Sequence, residues 1–267
     1  MLPDIYALAV PLLLAASGFA IGFLVGMTGV GAGALTTPLL ITGFAVPPAV
    51  AVGTDLIFAG LTKSGGAWRH HGLGNVNWQI FATLAAGSIT ATLITLGAIH
   101  YLAAGHFDLG PTIRWVLSAA LIISAIAAPL IPLIIIRTVK APLRPLKLRP
   151  LTTALFGLLL GVVVTVTSVG AGAIGVAVLT LLYPTLRARL IVGTDIVHAV
   201  PLTLLAGLGH MSLGNIDFTI LGALLAGSLP GIMLGARLTS TIPDWLLRLL
   251  LSAVLVYAAY LVVTTME

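Results

Sequence analysis

Val52-Gly53-Thr54-Asp55 reappears as Val192-Gly193-Thr194-Asp195, 140 positions later. The same offset pairs His70 with His210, Gly74-Asn75-Val76-Asn77 with Gly214-Asn215-Ile216-Asp217, and Gly87-Ser88 with Gly227-Ser228. Upstream the offset becomes 139, where Thr28-Gly29-Val30-Gly31-Ala32-Gly33 faces Thr167-Ser168-Val169-Gly170-Ala171-Gly172. Matches that recur in order along the whole chain mark an internal duplication. The reading places a first membrane repeat at 1–137, a basic, proline-containing linker at 138–150 and a second repeat at 151–267, together one membrane domain.

Composition states which solvent these repeats meet. Of 267 residues 59% are hydrophobic and 7% charged, against roughly 25% charged in a soluble domain. With a mean hydropathy of +1.19, the apolar surface exceeds what one aqueous core can hide, so lipid must solvate most of it. The chain is an all-α polytopic membrane protein. The absence of Cys excludes thiolate metal sites, disulfides and cysteine nucleophiles. Neither a His-Glu-x-x-His nor a phosphate loop is found, because Thr62-Lys63-Ser64 lacks the upstream glycine pattern. The reading is therefore no enzyme, no metal and no cofactor. The net charge of +5 speaks for topology and not for nucleic acid, since basic loops stay on the cytoplasmic side. Met1-Leu2-Pro3-Asp4 carries no basic region before its apolar run and reads as the start of a first membrane helix.

Apolar runs broken by Gly, Pro and charge give five helical segments per half. They are expected near 5–27, 32–44, 48–70, 77–99 and 113–136, then 151–168, 171–183, 188–209, 216–237 and 245–264. The second segment of each half is too short to span alone. Basic residues swap loops between the halves. Lys63 and Arg69 flank a loop whose counterpart near His210 has no Lys or Arg, while Arg187 and Arg189 stand where the first half has Pro47 and Ala49. That swap requires an odd number of crossings per repeat, hence two inverted repeats. With the linker inside, Lys63, Arg69, Arg137, Lys140, Arg144, Lys147, Arg149, Arg187, Arg189, Arg237 and Arg248 are cytoplasmic, Arg114 alone is outside, and both termini face outward. Inverted repeats with interrupted helices recur in secondary transporters, whose sites lie near the midplane.

The glycine-rich breaks lie deep in apolar sequence, where irregular backbone is tolerated only if protein or water surrounds it. Glycine lets the chain leave helical geometry, and the free N–H groups at the following helix start attract an anion without any charged side chain. Tight helix packing is the alternative role. Two breaks at matching places favour a substrate site formed by Thr28, Gly29, Gly31, Gly33, Thr167, Ser168, Gly170 and Gly172. Ser168 faces Gly29 and Thr165 faces Gly26, so such a pocket is asymmetric and could offer a hydroxyl to a substrate oxygen.

Gly22 to Pro38, Ala51-Val52-Gly53-Thr54-Asp55, Gly72 to Asn77, the second-half copy Thr167 to Gly172, and Pro230-Gly231 together resemble the sulfite exporter TauE/SafE family, also called the 4-toluene sulfonate uptake permeases. The resemblance spans nearly the whole chain. It implies a secondary transporter of the bacterial inner membrane for small sulfur-containing or organic anions such as sulfite, sulfonates or sulfoacetate, by export or uptake. A passive anion channel on the same scaffold is the other reading. The partners expected are the anion, the bilayer, a coupling proton or other ion, and a second copy of the chain in a homo-oligomer.

Asp55 and Asp195 are carboxylates about seven residues inside apolar helices, a costly placement that marks function by default. Two roles are open: holding a broken helix in the manner of an N-cap, or coupling transport to a cation. A lone membrane His is more often a hydrogen-bonded packing residue than a relay, but His198 follows Asp195 by three positions, on the same helical face, so the two could also share a proton. Lys63, opposite Thr203 in the other repeat, is expected to snorkel to the headgroups, with pairing to an anion as the other role. His70 and His210 read as interfacial or capping residues, and Trp68, His71 and Trp78 as part of an interfacial belt.

Overall fold

A computed structural model of the chain describes residues 2–28, 33–105, 107–139, 148–238 and 244–264. Gly29 and Gly31, most of the linker and both extreme termini lie outside them, and the side chain of Thr28 is likewise not described. Ten helices carry the described residues: α1 (Leu2–Thr28), α2 (Gly33–Gly43), α3 (Pro48–Gly72), α4 (Trp78–Ala104), α5 (Gly110–Val139), α6 (Pro150–Thr167), α7 (Ala173–Leu182), α8 (Ala188–Ser212), α9 (Phe218–Leu238) and α10 (Asp244–Thr264). Every expected segment is present, and α2 and α7, at 11 and 10 residues, are the short ones. Seven helices have a run long and apolar enough to cross a membrane. The 25-residue α3 has the length but not the hydropathy, because Asp55, Lys63 and Arg69 interrupt it. It is an interior helix, with Ala51 through Leu56 buried.

Packing follows the duplication. α1 lies on α9 as α6 lies on α4, while α3 pairs with α8 and α5 with α10. The first two pairs approach closely because both sides carry glycines, Gly227, Gly231 and Gly235 of α9 and Gly87 of α4 among them. Gly18, Gly22 and Gly26 of α1 sit against the backbones of Leu224, Ser228 and Ile232, and Gly157 and Gly161 of α6 sit against those of Leu84 and Ser88. Four-residue spacing of small residues is the usual means of close approach where lipid removes any hydrophobic drive between helices. The sequence reading attended to the glycines at the breaks and passed over these stripes.

α3 and α8 run antiparallel through the centre. Gly53, near the start of α3, faces His210 and the carbonyl of Asn215 at the end of α8, and Gly193, near the start of α8, faces His70 and the carbonyl of Asn75. The amide of Asn77 donates to Thr194 Oγ1 at 2.9 Å, and that of Asp217 donates to Thr54 Oγ1 at 3.0 Å. The duplicated Gly-Thr-Asp thus has a division of labour: the glycine admits the opposite turn, the threonine accepts its amide, and the aspartate looks the other way, into the break. The turns themselves are set by Gly74 and Gly214 at φ 65° and 73°, where a left-handed residue favours glycine. Asn77 and Asp217 then N-cap α4 and α9, accepting from Ile80 and Ile220 at 3.1 and 3.0 Å.

Candidate functional site

α6 ends at Ser168, whose φ of 61° turns the chain out of the helix. Gly170 and Gly172 follow at φ 125° and 127°, a region closed to residues with a side chain. α7 then restarts, with Gly175 donating to the carbonyl of Gly170 and Val176 to that of Gly172 at 3.0 and 2.9 Å. Thr167 folds its hydroxyl back, donating to Val163 O at 2.7 Å and accepting from the amide of Val169 at 3.1 Å. It shapes the break and does not point away from it. The hydroxyl of Ser168 is buried without a hydrogen-bond partner among the described residues.

The start of α2 meets the second break here. Gly33, the first residue of α2, lies directly against the carbonyl oxygen and hydroxyl of Ser168. Asp55 reaches the same place from α3: Thr37 Oγ1 donates to its Oδ2 at 2.6 Å, and the hydroxyls of Ser168 and Thr36 lie beside it. Asp195 approaches from α8 against the start of α7, its carboxylate on Gly175 and faced by the amide of Gly172. Both aspartates therefore sit over the N-termini of the short helices, where the helix dipole favours negative charge, but neither oxygen of Asp195 accepts a hydrogen bond among the described residues.

Lys63 overturns its expected role. Instead of snorkelling, its Nζ donates to the carbonyl of Ala171, between the two strained glycines, at 2.9 Å, and its charge acts on both aspartates. A carbonyl freed by the broken helix is what draws it inward. His198 takes the packing role: its ring pairs with Ser88 Oγ at 2.8 Å and packs edge-on against Phe81 of α4, so it is turned from Asp195 despite their spacing. His210 is buried and not interfacial, its Nε2 pairing with the Thr165 carbonyl at 2.9 Å. Trp68 and Trp78 are exposed as a belt requires, with His71 edge-on to Trp78.

The structure thus gathers Gly33, Ser168, Gly172, Asp55, Asp195 and Lys63, leaves His198 aside, and adds Thr36, Thr37 and Gly175, which the sequence reading missed. Their signal was available in the asymmetry between Thr36-Thr37 and Gly175-Val176 at equivalent places in the first turns of α2 and α7. A cavity of about 390 Å³ opens between the start of α3, the end of α4 and the start of α5. It reaches His210 and Val166, two residues short of Ser168.

The family model described as Sulfite exporter TauE/SafE matches residues 14–262. The chain belongs to that family. Similar relatives are the probable membrane transporter protein YjnA of Bacillus subtilis (strain 168), 36% identical with 79% of this chain and 83% of the relative covered, and the probable membrane transporter protein YdhB of the same organism, 28% identical over 79% and 82%. The probable membrane transporter protein YunE, also of that organism, is 37% identical over 27% of each chain. No solved structure matches. A TauE/SafE family member with seven helices suited to crossing a bilayer is a multi-pass membrane transporter, and the polar cluster where the start of α2 meets the second break is the candidate site within it.

Proposed function

We propose that this chain is a secondary transporter, and no enzyme, for small sulfur-containing or organic anions, sulfite and sulfonates foremost, in the bacterial inner membrane. The observation that carries the reading is the meeting of the start of α2 with the second break, Gly33 on Ser168 and Lys63 on the Ala171 carbonyl. An anion there would accept from the unpartnered Ser168 hydroxyl and from the Lys63 N–H bonds not used by Ala171, while Gly33, Gly170 and Gly172 keep the space clear of side chains. Thr28, Gly29 and Gly31 would frame it from the first repeat. Because Asp195 already faces the start of α7, charge for the anion comes from Lys63 more than from that helix end. The cavity at the end of α4 supports a route from one side.

The division into repeats 1–137 and 151–267, inverted across the membrane, is supported by the antiparallel pairing of α3 and α8, which are copies of each other. The linker would then be cytoplasmic and both termini outside. In this naturally Cys-less chain, single cysteines at Thr138 and Thr265 are expected to react with an impermeant reagent from opposite sides; reaction from one side would refute inversion.

Function is tested by counterflow. Proteoliposomes loaded with unlabelled sulfite, methanesulfonate or short carboxylates are expected to take up the labelled anion transiently above equilibrium, with saturation. A channel shows neither behaviour, and absence of movement for all of them would refute the anion reading.

A further inference from the structure

The site holds two carboxylates and one ammonium, all without a contact ion pair among the described residues. Lys63 Nζ is held by the neutral Ala171 carbonyl, while Asp55 Oδ1 and both oxygens of Asp195 are buried with no hydrogen bond. The formal charge of the three is −1, and a substrate anion settling beside Lys63 makes it −2. Uncompensated charge in a low-dielectric interior is opposed strongly, so a positive charge must arrive with the anion.

The two carboxylates are not equal candidates to receive it. Asp55 accepts from Thr37 at 2.6 Å and has the hydroxyl of Thr36 beside it, so part of its charge is already met by the protein. Asp195 meets no side-chain donor: Gly175 presses against its Oδ1, and the Gly172 amide faces it without closing a hydrogen bond of ordinary geometry.

The groups that could set its protonation can be named helix by helix. From α3 come Lys63, Asp55 and, near Gly193, His70. On α8 itself His198 is turned to Ser88, His210 is bonded to Thr165 at the far end, and Arg187 and Arg189 are exposed at the start. α4 brings only the exposed His100 and Tyr101, and α6 and α7 contain no titratable residue. Lys63 is therefore the one group whose engagement with an anion changes what Asp195 experiences.

We propose that Asp195 takes up one proton for each substrate anion that settles beside Lys63, so that anion and proton cross together in the same direction. The anion draws on the field of Lys63, Asp195 loses its counter-charge, and its carboxylate accepts a proton from the loading side; when the anion leaves, Lys63 again compensates Asp195 and the O–H bond releases its proton. This rests on the anion-transporter reading above. His198 has no part in it.

The test uses the full chain in proteoliposomes with methanesulfonate, whose charge does not change with pH, and a pH dye inside. With the parent protein, an inward proton gradient of one pH unit is expected to hold about a tenfold anion gradient at one-to-one stoichiometry, and the dye reports acidification only when the anion is present. Asp195→Asn is expected to lose pH-driven accumulation and acidification altogether, and far more than it loses methanesulfonate counterflow, whereas His198→Phe keeps the three in the parent's proportion. Counterflow in the parent without proton movement overturns the coupling and leaves the transporter reading intact. Proton-driven accumulation that survives in Asp195→Asn overturns the assignment to Asp195. No counterflow in the parent overturns both readings together.

Discussion

Gly33→Leu is expected to lower anion transport at least about a hundredfold while the protein stays in the membrane. A Cβ at this position lands on the backbone carbonyl of Ser168, which cannot swing aside as a side-chain tip does. Overpacking commonly costs about 1–3 kcal/mol, and here the strain falls on the contact between the start of α2 and the second break. About 3 kcal/mol, taken from the transport-competent geometry, is a hundredfold in rate. Gly43 is the matched comparison: it lies on the same helix and meets only the flexible Leu39 side chain, so Gly43→Ala should leave uptake nearly unchanged. Initial uptake rates per quantity of membrane protein decide the matter. Normal transport by Gly33→Leu would mean that α2 and the second break need not touch.

The second large effect belongs to Lys63→Met, which keeps the length of the stem and removes the only ammonium near Asp55 and Asp195 among the described residues. Removing one partner from a set of buried charges costs about 3–5 kcal/mol because the others remain uncompensated. Transport is expected to fall by about a hundredfold or more, and Lys63→Arg should restore part of it by returning the charge. A snorkelling lysine would behave differently, since Met is acceptable at a lipid interface and activity would survive. Uptake by the two variants, measured beside their abundance in the membrane, separates these cases.

The ten segments were legible because helix ends in this chain are written in punctuation that lipid cannot override: Pro48 and Pro150 open helices, and Gly74 and Gly214 with Asn77 and Asp217 close one turn and cap the next helix. The short α2 and α7 and the strained glycines between α6 and α7 followed from the same reasoning. What the sequence concealed was direction. Spacing put His198 on the face of Asp195, yet a three-residue step still spans about 60° of helix circumference, enough for one side chain to meet α4 and the other α7. Lys63 deceived for another reason. Its position near a helix end suggested the headgroups, but the acceptor that captures it, the Ala171 carbonyl, lies 108 positions away and exists only because the other repeat is broken there. Thr36 and Thr37 were hidden by attention to symmetry, since they mark where the duplicated halves have diverged.

In the proposed transporter a substrate anion occupies the place where the start of α2 meets the second break, against Ser168. Ser168→Cys introduces a single thiol into a chain that has no other, at a residue whose hydroxyl is buried and unpartnered among the described residues. The most direct measurement is the rate at which that thiol reacts with a small methanethiosulfonate reagent as the anion giving the strongest counterflow is added. The account predicts that labelling slows in a saturable way, with half-protection at the concentration that half-saturates transport. A labelling rate indifferent to saturating anion, in protein that still transports it, would contradict the account.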